Sequence, residues 1–174
     1  RDALVAAINL NIFNNHCDTV CMANIAQMVN VLQAMILTEG SKMVLTPTYH
    51  VFALYAAHQG AQQLESYAET SILRHDEEAV PTLHVSASRA ADGKILVTVA
   101  NLDASHPAEA QVLLGGVKAA AVNGTVLCGT ADARNTFTAP DAVQPKALPA
   151  VLTAEGFTAA LPACSVAAFT VTPQ

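Results

Sequence analysis

The sequence contains no tryptophan, and aromatic residues make up only 5% of its 174 residues. Charged residues are also scarce at 13%, whereas apolar residues reach 52%. A chain this apolar is not intrinsically disordered, because disorder requires low hydrophobicity and high net charge. No apolar run approaches the roughly 18–20 residues that a membrane-spanning helix requires. The composition therefore predicts a soluble protein with a large core and excludes a membrane-spanning helix.

Basic residues are few and scattered, with 8 Lys and Arg against 14 Asp and Glu and a net charge of -6. A nucleic-acid-binding surface requires clustered positive charge, so we expect no nucleic-acid partner. The same charge balance disfavours an anionic membrane surface as a partner.

Cysteine is also rare, and the four cysteines (Cys17, Cys21, Cys128 and Cys164) are too sparse for a disulfide scaffold. They predict buried free thiols in a reducing compartment. His16, Cys17 and Cys21 have no second cysteine or histidine pair nearby and lack the usual spacing of a zinc site. We therefore expect no metal and no cofactor.

Glycine and proline are nearly missing from the first part of the chain. Only Gly40 among 8 glycines and Pro47 among 8 prolines precede Gly60. This distribution predicts an α/β first part followed by an all-β second part with frequent turns.

The first part begins with a predicted helix over Asp2–Asn15. Its core face is expected to carry Leu4, Ile8 and Ile12, which recur every four residues, with Val5 beside them. Thr46 and Pro47 then have the residue types of an N-cap and a first helical position, and they predict a helix from Pro47 to Gln59.

Between these helices, the apolar run from Thr19 to Ile25 predicts a parallel strand buried on both faces, Val20–Ile25. Asn24, Gln27 and Asn30 lie at the end of this run and just past it. In a parallel barrel the carboxyl ends of the strands carry the active site. The amides could bind an uncharged polar ligand such as a sugar hydroxyl, or they could cap the loop backbone.

In the second part the hydrophobic period falls to two, and three dipeptides mark predicted turns: Asp92-Gly93, Asn123-Gly124 and Glu155-Gly156. A closing strand is predicted over Ser165–Val171. Short strands with regular turn signals are typical of an antiparallel sandwich.

Residues able to perform catalysis are not arranged as a site. Asp76–Glu78 is expected to be a solvated connector, and His50 and His58 are expected to be partly buried on their helix. No nucleophile motif, phosphate-binding loop or pair of opposed carboxylates is present.

Several segments resemble the C-terminal part of the α-L-arabinofuranosidases of glycoside hydrolase family 51. They are NLNIFNNHCD at 9–18, MANIAQMVNVLQ at 22–33, KMVLTPTYHVF at 42–52, ARNTF at 133–137 and the closing LPACSV at 161–166. The likeness is most specific over residues 9–52 and looser between 70 and 130.

The resemblance implies the end of a (β/α)8 TIM barrel followed by a jelly-roll-like β-sandwich. Residues 1–62 would supply the barrel's helix 7, strand 8 and helix 8, and residues 63–174 the sandwich. It also implies retaining hydrolysis of terminal non-reducing α-L-arabinofuranosyl groups from arabinan- or arabinoxylan-type oligosaccharides. Both catalytic glutamates are then expected upstream of Arg1, where we also expect the true N-terminus, and this chain contains no catalytic residue.

One ligand residue carries over from the resemblance. In the family, a glutamine in the segment corresponding to Ala26–Val31 faces the arabinose, and here it is Gln27. Asn24 and Asn30 are further candidates for substrate binding, although either could only hold the loop. The resemblance also implies a bacterial cytoplasmic enzyme that forms a homo-oligomer, commonly a hexamer. Its other expected partner is the remainder of the same enzyme.

A second hypothesis is a non-catalytic β-sandwich that supports or binds carbohydrate. Such modules stack sugars on exposed aromatic rings, and the β part offers only Tyr67, Phe137, Phe157 and Phe169. This poor supply favours a structural role for the sandwich.

Overall fold

The computed structural model describes residues 1–174, which fold mostly into β-sheet with few helices. The helices are α1 (Asp2–Asn15) and α2 (Pro47–Tyr55), and a single 3-10 turn (Ala56–His58) follows α2. The strands are β1 (Ile36–Glu39), β2 (Lys42–Leu45), β3 (Gln62–Leu64), β4 (Ile72–His75), β5 (Glu78–Pro81), β6 (Leu83–Arg89), β7 (Ile95–Asn101), β8 (Ala108–Leu113), β9 (Ala119–Cys128), β10 (Lys146–Leu148), β11 (Val151–Leu152), β12 (Gly156–Leu161) and β13 (Ser165–Pro173).

Two antiparallel sheets form the body of the molecule and confirm the predicted sandwich. The larger has six strands in the order β10-β9-β13-β7-β6-β3, and the smaller has three in the order β11-β12-β8. The remaining strands form two separate hairpins, β1-β2 and β4-β5. Because β13 lies between β9 and β7, the last strand of the chain occupies the centre of the larger sheet.

The main core lies between the two sheets. Phe157 from the smaller sheet and Phe169 from the larger one are fully buried, and their ring centroids are 4.8 Å apart. Around them pack nine more buried side chains: Ile95, Val97, Val99, Val126, Leu148, Ala159, Leu161, Ala167 and Val171. Burial of this apolar surface is the main force that holds the two sheets together.

The two helices cover the outer face of the larger sheet and create a second core. It consists of Ala3, Ala7, Leu10, Val51, Tyr55, Ala100, Leu127, Val143 and Val166. Every residue of β7 is buried as a result, because one face meets the smaller sheet and the other meets the helices.

The bounds of α1 agree with the prediction, but its buried face differs from the predicted one. Ala3, Ala7, Leu10 and Asn11 are buried, whereas two of the four predicted residues, Val5 and Ile12, are 47% and 39% exposed. Apolar residues surround this helix on all sides, so their spacing could not identify the side that packs on the sheet.

The predicted strand Val20–Ile25 does not form, and this segment is irregular and mostly exposed. A buried parallel strand requires hydrogen-bonded neighbours on both sides, and no strand of this chain lies beside it. Of the four cysteines that were expected to be buried, Cys17 and Cys21 are exposed, Cys128 is partly buried, and Cys164 is buried as expected.

Two of the three predicted turns are confirmed. Asp92-Gly93 connects β6 with β7, and Glu155 and Gly156 lie where β11 gives way to β12. Asn123-Gly124 is instead part of the continuous strand β9. Gly124 is needed there because a Cβ atom would lie 2.5 Å from the Leu148 carbonyl oxygen and 2.9 Å from the Phe169 ring.

Replacing Gly124 by alanine should therefore destabilise the sandwich. We expect a loss of about 1–3 kcal/mol in the free energy of unfolding, because the new methyl group must displace backbone and a core ring. Urea unfolding followed by circular dichroism measures this loss. The matched control is Asn123→Ala on the same strand, where the side chain is exposed. Equal stability of the two variants would contradict the packing explanation.

Candidate functional site

The candidate site is the long loop between α1 and β1. Helix α1 ends at Asn15, and the His16 carbonyl then accepts hydrogen bonds from Thr19 N and Val20 N at 3.0 and 2.8 Å. The chain continues without regular structure to residue 28 and then turns toward β1. The three residues with predicted ligand roles all lie in this loop.

Gln27 and Asn24 are both exposed. Gln27 has a φ of 57°, in the left-handed region that residues other than glycine and asparagine seldom adopt. The surrounding loop must hold it there, because such a backbone conformation costs about 1–3 kcal/mol for a residue other than glycine. The amide could donate to and accept from a sugar hydroxyl, as its chemistry predicts.

Asn30 differs from the other two because its amide is already engaged. Its Oδ1 accepts from Thr38 N at 2.7 Å, and its Nδ2 donates to the Thr38 carbonyl at 3.2 Å and to Thr38 Oγ1 at 2.9 Å. These contacts fix the loop against β1. Of the two roles predicted for Asn30, the observed hydrogen bonds support the one that holds the loop.

Exposed apolar side chains concentrate around this loop and α1. Of 13 large apolar residues that are exposed in the whole chain, seven lie in the first 43 positions: Val5, Ile12, Met22, Met28, Val29, Leu32 and Met43. Leu32 is 93% exposed. The first 43 residues therefore expose large apolar side chains at a higher density than the rest of the chain.

A buried polar cluster under α1 was missed by the sequence analysis. Asn11 is fully buried, and its Oδ1 accepts from Tyr55 Oη at 2.8 Å, Ser86 Oγ at 2.8 Å and Thr98 Oγ1 at 2.9 Å. Its Nδ2 donates to the His84 carbonyl at 2.9 Å. Asn11 lies four residues after the buried Ala7, so its position on the buried side of α1 could have indicated this cluster. An analysis of hydrophobic periodicity considers only apolar residues and therefore omits it.

His58 continues the same cluster. Its Nδ1 lies 2.7 Å from Ser88 Oγ and its Nε2 lies 3.2 Å from Thr98 Oγ1. Burial disfavours the charged imidazolium and lowers the pKa of His58 to about 4. Burial also lowers the pKa of His50, and Asp141 opposes that effect. Both histidines are partly buried, as the sequence predicts.

The ARNTF segment has a structural function. Asn135 is buried, its Nδ2 donates to the carbonyls of Leu45 and Val143, and its Oδ1 accepts from Val143 N at 2.7 Å. One side chain thus ties the loop before β10 to the end of β2. This segment holds the hairpin on which the candidate loop rests.

The structure offers no cluster of three or more His, Cys, Asp or Glu residues that could hold a metal ion. Neither α1 nor α2 has the length and apolarity needed to cross a membrane. Of the four aromatic residues of the β part, Phe157 and Phe169 are in the core, Phe137 is partly buried, and Tyr67 is 83% exposed.

Solved structures resemble this fold closely. The crystal structure of the family 51 arabinofuranosidase from Xanthomonas axonopodis pv. citri matches 98% of the chain with a TM-score of 0.93 and 46% identity. A family 51 α-L-arabinofuranosidase from Bifidobacterium longum matches 97% with a TM-score of 0.85 and 28% identity. An α-L-arabinofuranosidase from Thermotoga maritima shares the fold with a TM-score of 0.86 at 23% identity.

The fold is therefore that of the β-sandwich domains of glycoside hydrolases. The chain belongs to the alpha-L-arabinofuranosidase C-terminal domain family, whose profile matches residues 1–165. It is also 42% identical over 148 residues to an intracellular exo-alpha-L-arabinofuranosidase of Bacteroides ovatus. It covers 29% of that relative and 35% of the Xanthomonas enzyme, so it spans about a third of their length.

Proposed function

We propose that this chain is the C-terminal part of an intracellular, retaining exo-α-L-arabinofuranosidase. The proposal rests on family membership and on 42% identity to an enzyme of that activity. Its substrates would be arabinan- or arabinoxylan-type oligosaccharides with terminal non-reducing α-L-arabinofuranosyl groups. Retention requires two carboxylates about 5 Å apart, and we expect both from the part of the enzyme that precedes Arg1.

The exposed apolar side chains of residues 1–43 support one part of this proposal, namely that the chain belongs to a larger enzyme. Helix α1 packs one side on the sandwich and leaves Val5 and Ile12 exposed on another. The loop that follows exposes Met22, Met28 and Leu32. We propose that the remainder of a (β/α)8 barrel covers this surface, with residues 1–62 completing the barrel and residues 63–174 forming the sandwich. The segment 20–25 would then gain the neighbouring strands that it lacks here.

The full-length enzyme provides the direct test. We expect it to release arabinose from an aryl α-L-arabinofuranoside with retained anomeric configuration, observed by proton NMR. The isolated chain should be inactive because it lacks both glutamates. A full-length protein that hydrolyses no α-L-arabinofuranoside would overturn the proposal. Native mass spectrometry of the same sample tests the expected homo-oligomer.

Within this enzyme we propose that Gln27 binds the arabinofuranosyl group in the glycone subsite. Replacing Gln27 by alanine should reduce kcat/KM by about 5- to 150-fold, or about 1–3 kcal/mol, the range for a lost hydrogen bond to a sugar hydroxyl. The initial rate on the aryl arabinofuranoside measures this loss.

A second variant, Gln27→Gly, distinguishes the effect of losing the side-chain amide from an effect on the backbone conformation. Glycine tolerates the left-handed φ of 57° at position 27 better than alanine does, yet both variants lack the amide. Gln27→Gly and Gln27→Ala should therefore lose the same activity. Recovery of activity in the glycine variant would assign the loss to backbone strain instead.

The alternative, a carbohydrate-binding sandwich, has less support. Phe157 and Phe169 are 0% and 1% exposed and cannot stack on a sugar. Tyr67 is exposed and Phe137 is partly buried, which is a poor supply of aromatic surface for sugar stacking.

A further inference from the structure

The segment Met28–Asn30 lies beside β1 as a partial third strand. The Met28 carbonyl accepts from Ile36 N at 3.1 Å, and Asn30 N donates to the Ile36 carbonyl at 3.1 Å. Val29 and Ile36 accordingly form a parallel bridge. This is the start of a parallel ladder, in which one residue of β1 is bonded to two residues of its neighbour.

The side chain of Asn30 supplies the next step of that ladder. A regular parallel strand would pair Thr38 with the backbone carbonyl of residue 30 and the backbone N–H two positions later. Here Oδ1 of Asn30 accepts from Thr38 N at 2.7 Å, and its Nδ2 donates to the Thr38 carbonyl at 3.2 Å. A primary amide has the same donor and acceptor as a peptide group, so it can stand in for one.

Because the Asn30 side chain takes the place of a peptide group, the backbone can turn away from β1 after residue 30 while the backbone groups of Thr38 keep their hydrogen bonds. Left-handed conformations occur before, within and after this paired segment, at Gln27, Asn30 and Gln33, with φ values of 57°, 55° and 61°. Asparagine is common in that region but glutamine is not, so the two glutamines need external support to stay there. The Asn30–Thr38 hydrogen bonds begin three residues after Gln27 and are the nearest such support that a side chain provides.

We propose that Asn30 is a positioning residue that orients Gln27 for the arabinofuranosyl group, and that it does not itself bind the substrate. The inference rests on the proposed function of Gln27. Asn30 acts through Gln27, because its own amide is used by Thr38.

A double-mutant cycle in the full-length enzyme tests this role. Asn30→Gly keeps the left-handed backbone accessible and removes the amide that pairs with Thr38. We expect it to lower kcat/KM by about tenfold in the otherwise unchanged enzyme. In the Gln27→Gly background the same change should have less than about a twofold effect, because no amide remains to be oriented. Hydrogen exchange at the Thr38 amide should become faster in both backgrounds.

The matched control is Gln33→Gly. It removes an exposed amide from the same loop at another left-handed position but leaves the Asn30–Thr38 hydrogen bonds intact. Its kcat/KM should stay within about twofold of the unchanged enzyme. If Asn30→Gly does not fold, Asn30→Asp serves in the same cycle, because it keeps the acceptor for Thr38 N and loses the donor to the Thr38 carbonyl.

The outcomes distinguish this inference from the proposed function. Two results would overturn the positioning role alone. The first is an equal loss of kcat/KM from Asn30→Gly in both backgrounds. The second is no loss from Asn30→Gly in the otherwise unchanged enzyme when Gln27→Gly is impaired. Full activity of Gln27→Gly would overturn the proposed role of Gln27 and this inference with it. An inactive full-length enzyme would overturn the proposed function itself.

Discussion

Asn11→Ala is expected to lower the free energy of unfolding by about 3–5 kcal/mol, the largest loss among the substitutions considered. The carboxamide is fully buried and accepts three hydroxyl hydrogen bonds, from Tyr55, Ser86 and Thr98. Its removal also leaves the His84 carbonyl without the donor that it has at 2.9 Å. Each buried polar group left without a partner costs about 1–3 kcal/mol, although Ser86 and Thr98 can still bond each other.

Urea unfolding followed by circular dichroism measures this loss as a lower midpoint with an unchanged slope. Asn9→Ala is the matched control, because Asn9 lies on the same helix, is exposed, and bonds only the Val5 carbonyl of its own helix. We expect its effect to stay within about 0.5 kcal/mol. A similar small effect at Asn11 would show that the cluster does not anchor α1 to the sheet.

His58 should make the stability of the protein depend on pH. Its folded-state pKa is about 4, whereas the unfolded chain has the ordinary value of 6.5. The folded state therefore binds fewer protons between these values. The contribution of neutral His58 to the free energy of unfolding is fully present above pH 6.5 and is lost as the pH falls toward 4. The difference between the two pKa values corresponds to a loss of about 3 kcal/mol in the free energy of unfolding.

His58→Gln removes this titration while leaving an amide that can bond Ser88. We expect the unchanged protein to lose about 3 kcal/mol more than this variant between pH 7 and pH 4, measured by urea unfolding at each pH. His50 and His84, whose pKa values are also lowered by burial, are present in both proteins and cancel in the comparison. Parallel pH profiles of the two proteins would contradict a buried neutral His58.

The sequence predicts the sandwich well because its signals are local. Alternation in β6 and β7 and the Asp92-Gly93 turn between them specify a hairpin without reference to the rest of the molecule. Asn123-Gly124 has the same local signal, but the decisive fact is the approach of Phe169 and the Leu148 carbonyl. That approach comes from residues more than 20 positions away, so no local pattern could indicate it.

The first part is less predictable for a different reason. In α1 both buried and exposed positions carry apolar side chains, and the polar Asn11 is buried and bonds the sheet. The apolar run Val20–Ile25 carries a strand signal, but this chain contains no neighbouring strand to bond it. The hairpin β1-β2, with a two-residue turn at Gly40 and Ser41, was not predicted, although a glycine at that position is typical of such turns.

The strand pattern located the candidate site, and the family resemblance selected Gln27 within it. The pattern alone placed Asn24, Gln27 and Asn30 on equal terms. The three-dimensional contacts add that the amide of Asn30 bonds Thr38, which the pattern did not indicate. A side chain that imitates a peptide group has no sequence signature, because any asparagine near a strand could do the same.

The central position of β13 limits how this domain can form during protein synthesis. Until residues 165–173 have left the ribosome, β7 and β9 have no strand between them, and the larger sheet exists only as two separate parts. The apolar faces of both parts, including most of the main core, then lack their central strand from the synthesis of β7 until the synthesis of β13. We expect the nascent domain to depend on chaperones during that interval, and to become resistant to proteases abruptly when β13 emerges.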